Sequence, residues 1–290
     1  MKKSRKLATL GICSALFLGL AACQQQHATS EGTNQRQSSS AKVPWKASYT
    51  NLNNQVSTEE VKSLLSAHLY PNSVDAFFNL VNDYNTIVGS TGLSGDFTSF
   101  THTEYDVEKI SHLWNQKKGD FVGTNCRINS YCLLKNSVTI PKLEKNDQLL
   151  FLDNDAIDKG KVFDSQDKEE FDILFSRVPT EATTDVKVHA EKMETFFSQF
   201  QFNEKARMLS VVLHDNLDGE YLFVGHVGVL VPADDGFLFV EKLTFEEPYQ
   251  AIKFASKEDC YKYLGTKYAD YTGEGLAKPF IMDNDKWVKL

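Results

Sequence analysis

The sequence lacks the short motifs that identify three common kinds of catalytic site. It contains no G-x-S-x-G, no H-E-x-x-H and no glycine loop ending in Lys-Ser or Lys-Thr, so the usual signs of a serine hydrolase, a zinc protease and a phosphate loop are missing. Positive charge is also scarce, with 31 Lys and Arg against 39 Asp and Glu and a formal net charge of −8. We expect no nucleic-acid partner, because a phosphate-binding surface requires clustered positive charge.

Glycine accounts for only 16 of the 290 residues, and no heptad repeat of apolar residues persists. These two absences exclude collagen-like and coiled-coil chains. The sequence does contain 20 Phe and 11 Tyr, and 41% of its residues are hydrophobic. Such a chain is typical of one globular domain, or of two small ones, with a large buried core.

Long apolar runs are confined to the N-terminus. Four basic residues within the first six positions precede an apolar stretch over 7–22, which has the length and flanks of a secretory signal rather than of a spanning helix. The stretch ends in Leu20-Ala21-Ala22-Cys23, which resembles the bacterial lipobox. That resemblance implies cleavage before Cys23 and attachment of lipid to this residue. The alternative is an ordinary secretory signal with an incidental Cys.

The domain organisation that we predict follows from this N-terminus. It consists of a lipoprotein signal peptide over 1–22, a disordered tether over 23–42 that is rich in Ser and Gln, and a single α+β domain over 43–290. The lipid on Cys23 would hold the protein in the outer leaflet of a bacterial cell membrane, on its extracellular face.

Three cysteines, Cys126, Cys132 and Cys260, fall in the predicted domain. Because three is an odd number, at least one thiol is free or bonded to another chain. If Cys126 and Cys132 share a helix, the rise alone separates them by about 9 Å, which is beyond disulfide reach. A disulfide from either to Cys260 stays open. No C-x-x-C pair occurs, so we expect neither a zinc knuckle nor a thioredoxin-type site.

One acidic segment, Asp153-Asn154-Asp155, begins like a calcium-binding loop. The pattern then breaks, because Ile157 occupies the fifth position and Asp158 stands where the loop requires Gly. We interpret the segment as structural.

Hydrophobic periodicity predicts helices first and strands later. The predicted helices cover 57–69, 74–84, 107–118, 125–135, 168–176 and 186–200, and Ser256 is expected to cap one more. The predicted strands cover 207–213, 220–231, 237–245 and 249–254, with Asp-Gly pairs at 218–219 and 235–236. Asp-Gly pairs favour hairpin turns. Helices followed by an antiparallel meander indicate an α+β domain.

Two residues in this arrangement have the chemistry of a nucleophile and a base. Cys126 lies where a polar loop becomes a helix, and the positive end of the helix dipole lowers the pKa of a thiol in the first turn. His226 lies in an apolar strand with Gly225 and Gly228 close by, and glycines allow close approach by another backbone or a ligand. The structural alternatives are a small buried hydrophobic side chain and a hydrogen-bonded core histidine.

Strand parity adds Glu241 as a third candidate. It shares a face of its strand with large apolar residues at positions 237, 239 and 243, where an unpaired carboxylate is costly. If 232–235 is the hairpin loop, Val231 pairs with Gly236 and His226 lies directly opposite Glu241. Other loop lengths shift this register by a residue or two. The carboxylate would orient the imidazole, or else pair with a Lys at a sheet edge.

A helix-borne Cys, then a strand His about a hundred residues later, then a polar residue in the next strand resembles the papain-like cysteine hydrolases. Over 121–264 the order is most similar to the NlpC-type branch, which cleaves peptide bonds in cell-wall peptidoglycan. This sequence has Asn125-Cys126-Arg127 where that branch usually has Asp-Cys-Ser. The mature chain also resembles an uncharacterised family of Gram-positive surface lipoproteins. The first resemblance implies a papain-like fold, in which N-terminal helices and the helix-borne Cys pack on an antiparallel meander.

The predicted function is that of a surface cysteine hydrolase, an amidase or peptidase acting on cell-wall peptide or another amide. Cys126 would be the nucleophile, His226 the base and Glu241 the orienting group. The backbone N–H of Cys126 and the side chain of Asn125 would stabilise the oxyanion. This cysteine-hydrolase mechanism requires no metal and no organic cofactor. The alternative is a non-catalytic surface lipoprotein of the same fold that binds a ligand or a partner protein.

Overall fold

Eight helices and nine strands lie within residues 45–100 and 103–290, which the computed structural model describes. The helices are Gln55–Ser66 (α1), Pro71–Val88 (α2), Val107–Lys118 (α3), Cys126–Leu134 (α4), Phe151–Gly160 (α5), Ser165–Leu174 (α6), Val186–Phe197 (α7) and Lys257–Lys267 (α8). The strands are Ala47–Thr50 (β1), Thr98–Ser99 (β2), Val178–Pro179 (β3), Arg207–Asp215 (β4), Tyr221–Ala233 (β5), Gly236–Lys242 (β6), Tyr249–Phe254 (β7), Phe280–Asp283 (β8) and Lys286–Val288 (β9).

All nine strands belong to one antiparallel sheet. Its order is β2-β1-β7-β6-β5-β4-β8-β9, and β3 pairs with β5 outside this path. The four longest strands, β4 to β7, follow one another along the chain and form its centre. The prediction of an α+β domain with helices before an antiparallel meander is confirmed.

The predicted signal peptide over 1–22, the predicted lipid attachment site Cys23 and the predicted tether over 23–42 lie outside the described residues. They stay predictions. In the part of the chain that the structure describes, no helix combines the length and the apolarity needed to cross a membrane.

Successive residues of the central strands face two hydrophobic clusters, because side chains alternate between the faces of a sheet. In β5, Val229 and Val231 belong to the larger cluster, which contains residues of α1 to α7. Leu230, between them, belongs to the smaller cluster, together with Cys260 and Leu264 of α8. The central strands are therefore covered on both faces, which explains why residues 208–213 are buried without interruption.

Helix caps account for where several helices begin. Asp106, Asn125 and Ser256 each accept a backbone N–H from the first turn of α3, α4 and α8, and the predicted cap at Ser256 is confirmed. The predicted start of the first helix at Ser57 is wrong. Asn54 is the N-cap of α1, and its side chain accepts the backbone N–H of Ser57.

The register between β5 and β6 differs from the predicted one. Ala233 pairs with Gly236 across a two-residue turn, so the predicted four-residue loop and the pairing of Val231 with Gly236 are wrong. Gly236 has φ +133°, and a Cβ there would lie 2.1 Å from the carbonyl oxygen of Phe254. Only glycine fits this position, which fixes the short turn and moves the register by two residues.

Candidate active site

Cys126 is the first residue of α4, a helix in which every residue except Arg127 is buried. Asn125 caps it, because its Oδ1 accepts the backbone N–H of Ile128 at 3.1 Å. Because all but one of its residues are buried, α4 lies inside the protein, where it packs against β5 and β6. The thiol is thereby placed at the positive end of a buried helix, beside the strands that carry His226 and Glu241.

His226 and Glu241 are in direct contact although they are not directly opposite each other. Continuing the observed register places Gly228, not His226, across from Glu241. The shift by two residues keeps His226 on the same face as Glu241, where the two are diagonal neighbours. His226 Nε2 lies 2.5 Å from Glu241 Oε2. The predicted pairing of the two side chains is present, through a different register.

The two glycines near His226 have separate structural reasons. Between Val211 and Val212 the pairing of β4 with β5 shifts, and Gly225 is the extra residue of this β-bulge. A Cβ on Gly225 would lie 2.3 Å from the Leu213 side chain, and one on Gly228 would lie 2.3 Å from the Phe239 ring. Both glycines therefore admit neighbouring protein atoms.

Glu241 is completely buried and is held by three partners. Besides His226, the Tyr263 hydroxyl donates to Oε1, and Lys267 Nζ lies 3.5 Å from the same oxygen. Burial by itself would raise the pKa of Glu241, but Lys267, His226 and Tyr263 lower it to about 2. Glu241 is thus a carboxylate at neutral pH, and the Nε2 hydrogen of His226 points to it.

Cys126 and His226 lie close enough for each to shift the pKa of the other. Burial opposes ionisation of the thiol, but His226 and the Arg127 charge together hold the pKa of Cys126 below its ordinary value. Burial also opposes the charged imidazole, yet Cys126 and Glu241 raise the pKa of His226. The two shifts favour a thiolate–imidazolium pair.

The three side chains are shielded from solvent. Cys126 is 6% exposed, and His226 and Glu241 are each 2% exposed. The ring of Tyr268, just after α8, stacks on His226 with centroids 4.8 Å apart. Two shallow surface depressions lie beside Tyr70 and Asn136, and neither is lined by Cys126, His226 or Glu241. Free access from solvent to Cys126 therefore requires part of this cover to move.

Asn125, predicted as an oxyanion donor, is engaged on both sides of its amide. Its Oδ1 caps α4, and its Nδ2 donates to Asp153 Oδ1 at 2.7 Å. One of the two Nδ2 hydrogens is thus already used. The oxyanion role stays a prediction, and the backbone N–H of Cys126, which as the first helical residue has no acceptor within the helix, is the stronger donor candidate.

Two charged residues near the site were missed from the sequence. Asp153, interpreted as part of a structural acidic segment, lies in α5 and is bound by Asn125 and Arg127. Lys242, the last residue of β6, is buried and donates to the carbonyl oxygens of Thr244, Phe245 and Glu247. The sequence held an indication of Asp153 but not of Lys242. Arg127 is a cation in the first turn of a helix, where the dipole disfavours positive charge, so it requires an anionic partner such as Asp153.

The other two thiols have environments unlike that of Cys126. Cys126, Cys132 and Cys260 are all free and buried, so the disulfide to Cys260 that the sequence left open is not formed. Burial raises the pKa of Cys132 to about 12 and that of Cys260 well above its ordinary value. Within residues 45–100 and 103–290, no group of three or more His, Cys, Asp or Glu side chains is placed to hold a metal ion.

Comparison with known proteins gives one match. A family model described as "Domain of unknown function (DUF4300)" matches residues 48–288, nearly the whole described chain. Neither the curated proteins nor the solved structures include a match to this sequence.

Proposed function

The chain belongs to the DUF4300 family, whose description names no activity, and we propose from the site geometry that it is a papain-like cysteine hydrolase acting on amide bonds. The observation that carries the proposal is the placement of His226 between two partners: its Nε2 lies 2.5 Å from Glu241 Oε2, and its charge lowers the pKa of Cys126. A nucleophile, a base beside it and a third group that orients the base form the arrangement used in covalent catalysis.

The position of these residues on the fold supports the same reading. The nucleophile begins a buried helix, the base lies in a central strand of an antiparallel sheet, and the carboxylate lies in the next strand. The papain-like fold is proposed on this order of elements. The resemblance in chain order and the contact in space are independent, because the contact depends on residues far apart in sequence.

The chemistry proceeds through a thioester. The Cys126 thiolate attacks the carbonyl carbon, forming an S–C bond while the carbonyl electron pair moves to oxygen. When the C–N bond breaks, imidazolium His226 gives its proton to the leaving amine. His226 then takes a proton from water, which attacks the thioester, and the C–S bond breaks to restore the thiolate. Glu241 remains ionised throughout and stabilises the imidazolium.

The substrate class is proposed from the expected location. If Cys23 bears lipid and 23–42 is a tether, the domain lies in the zone of the bacterial cell wall, where peptide amides are abundant. Incorporation of labelled fatty acid into the wild type, and its loss in Cys23→Ser, tests this location. Retention of the label by Cys23→Ser would contradict it.

The hydrolase proposal is tested by incubating the purified full chain with isolated peptidoglycan and separating the released fragments. We expect the wild type to release fragments with new amine termini and Cys126→Ala to release none. Cys132→Ala is the matched control, because it removes a thiol from the same helix and should remain active. Equal release by wild type and Cys126→Ala, or release by neither, would contradict an amidase acting on cell-wall peptide.

The burial of the triad favours a second candidate, a non-catalytic binding lipoprotein. In the described structure Tyr268 covers His226, and the thiol is 6% exposed. In this case wild type and Cys126→Ala would bind a cell-wall peptide with the same affinity, and neither would hydrolyse it. Calorimetry with a defined muropeptide, followed by mass analysis of the same sample, separates the two functions.

A further inference from the structure

Arg127 occupies a position that a cation normally avoids. It is the second residue of α4, where the positive end of the helix dipole disfavours positive charge. It is also the single residue of α4 that is not fully buried, with 15% of its side chain exposed. A guanidinium held there requires compensation from nearby anions and acceptors.

Asp153 supplies that compensation. Its carboxylate is completely buried. Oδ1 accepts a hydrogen bond from Arg127 Nε at 2.9 Å, and Oδ2 accepts one from Arg127 Nη2 at 2.7 Å. Oδ1 also accepts a hydrogen bond from Asn125 Nδ2 at 2.7 Å. One carboxylate on α5 therefore binds both neighbours of Cys126 in the sequence. Two parallel bonds to a planar fork fix orientation as well as distance.

The remaining arm of Arg127 reaches the strand that carries His226. Its Nη1 donates to the carbonyl oxygen of Val224 at 3.0 Å. Val224 adjoins Gly225, the extra residue of the β-bulge that immediately precedes His226. The guanidinium thus contacts α5 on one side and the bulge of β5 on the other, and its own residue adjoins the nucleophile.

We propose that Asp153 and Arg127 form a positioning unit that fixes Cys126 on α4 against His226 on β5. The unit connects three elements, and neither residue is assigned a role in bond making. The inference rests on the proposed function, since the distance it controls is that between nucleophile and base.

The variant Asp153→Asn separates an effect of charge from an effect of positioning, because the two would change the pKa of Cys126 in opposite directions. The negative charge of Asp153 raises the pKa of Cys126, so removing the charge alone should lower that pKa. If the carboxylate positions the nucleophile, its loss weakens the contact with His226 and the pKa of Cys126 rises. We expect the pH midpoint of Cys126 alkylation, followed by peptide mapping, to move upward by about one unit. A downward shift, or no shift, would overturn the proposal.

Arg127→Lys provides a second and milder variant in case Asp153→Asn does not fold. Lys keeps the positive charge but cannot form the fork to Asp153 and reach Val224 as well. We expect about a tenfold slower alkylation of Cys126 at neutral pH. Arg177→Lys is the control, because Arg177 binds Asp218 through two nitrogens, at 2.7 and 3.0 Å, and touches none of the site residues. It should lower the melting temperature without moving the Cys126 midpoint.

The same measurements separate this inference from the proposed function. A wild-type Cys126 that alkylates with an ordinary or raised pKa contradicts the hydrolase itself. A wild-type Cys126 with a lowered pKa that stays unchanged in Arg127→Lys contradicts only the positioning role. Equal midpoint shifts in Arg127→Lys and Arg177→Lys would show general loosening of the fold, which also overturns the proposal.

Discussion

Cys126 and Cys132 lie on the same helix and both are buried, but their pKa values move in opposite directions. Burial is the largest influence on each thiol and opposes ionisation of both. Around Cys132 the Lys135 charge favours the thiolate and the Asp167 charge opposes it, so burial prevails and the pKa rises to about 12. Around Cys126 the cations of His226 and Arg127 outweigh burial. The group opposite the sulfur, rather than burial, decides whether this helix carries a reactive thiol.

The position along the helix contributes in the same direction. Cys126 is in the first turn of α4, at the positive end of the helix dipole, and Cys132 is in the last turn, at the negative end. Single substitutions should abolish or enlarge this difference in pKa between Cys126 and Cys132.

The largest effect is expected from His226→Ala. It removes the cation that favours the thiolate, so burial dominates and Cys126 becomes similar to Cys132. Alkylation of Cys126 at neutral pH should slow by about a hundredfold or more. Peptide mapping of both thiols over a pH series measures this, with Cys132 as the internal reference. An unchanged Cys126 profile would show that His226 does not activate it.

Glu241→Gln should have a smaller effect on the thiol. It removes the charge that helps to raise the pKa of His226 while keeping the side-chain volume. Less imidazolium then stands opposite Cys126, and the alkylation midpoint should rise by about one unit. Tyr263→Phe, which removes one hydrogen bond to Glu241 but no charge, should move it less. A larger shift from Tyr263→Phe would contradict the role given to the charge.

The lowered pKa of Glu241 also predicts that the stability of the fold depends on pH. Its pKa is about 2 in the folded protein and about 4.3 when unfolded, so its contribution is present above about pH 4.3 and is lost as pH falls through about 2. That contribution is on the order of 3 kcal/mol. Urea unfolding between pH 5 and about 2 should show a steeper decline for the wild type than for Glu241→Gln. Equal slopes would contradict the lowered pKa.

Tyr268→Ala should change access to Cys126 without changing its pKa. The substitution removes the ring that stacks on His226, so alkylation at high pH should become several-fold faster while the midpoint stays in place. Tyr268→Phe keeps the ring and is the matched control. A shifted midpoint in Tyr268→Ala would mean that the ring sets the charge of the pair and not only its exposure.

The smallest effect on Cys126 is expected from Cys132→Ala. It deletes a buried thiol with no charged role and should cost about 1–2 kcal/mol of unfolding free energy through lost packing. The Cys126 midpoint should be unchanged. A shift of half a unit or more would show that the two thiols are coupled along α4.

The sequence predicts the elements of this site better than their contacts. Cys126 at a helix start and His226 in a strand follow from local patterns that the structure confirms, whereas the cap formed by Asn125 was not predicted. The register was wrong because an Asp-Gly pair allows turns of several lengths, and the choice depends on the approach of Gly236 to Phe254. That approach is a contact between strands, which local periodicity does not encode.

Long-range partners account for the rest of what sequence reasoning missed. Asp153 binds Arg127 across 26 positions, and Tyr263 donates to Glu241 across 22. The acidic segment at 153–155 begins like a calcium-binding loop in the sequence, but in the structure it is part of helix α5. In each case the deciding partner comes from an element whose location depends on the whole sheet.

The most direct test of the central claim is an NMR pH titration of the wild-type chain with carbon-labelled cysteine. It reports the ionisation of each thiol without requiring a reagent to enter the covered site. We expect Cys126 to titrate well below the ordinary thiol value of about 8.5, while Cys132 and Cys260 stay protonated beyond it. A Cys126 that titrates at or above that value, together with the other two thiols, would contradict an activated Cys126–His226 pair.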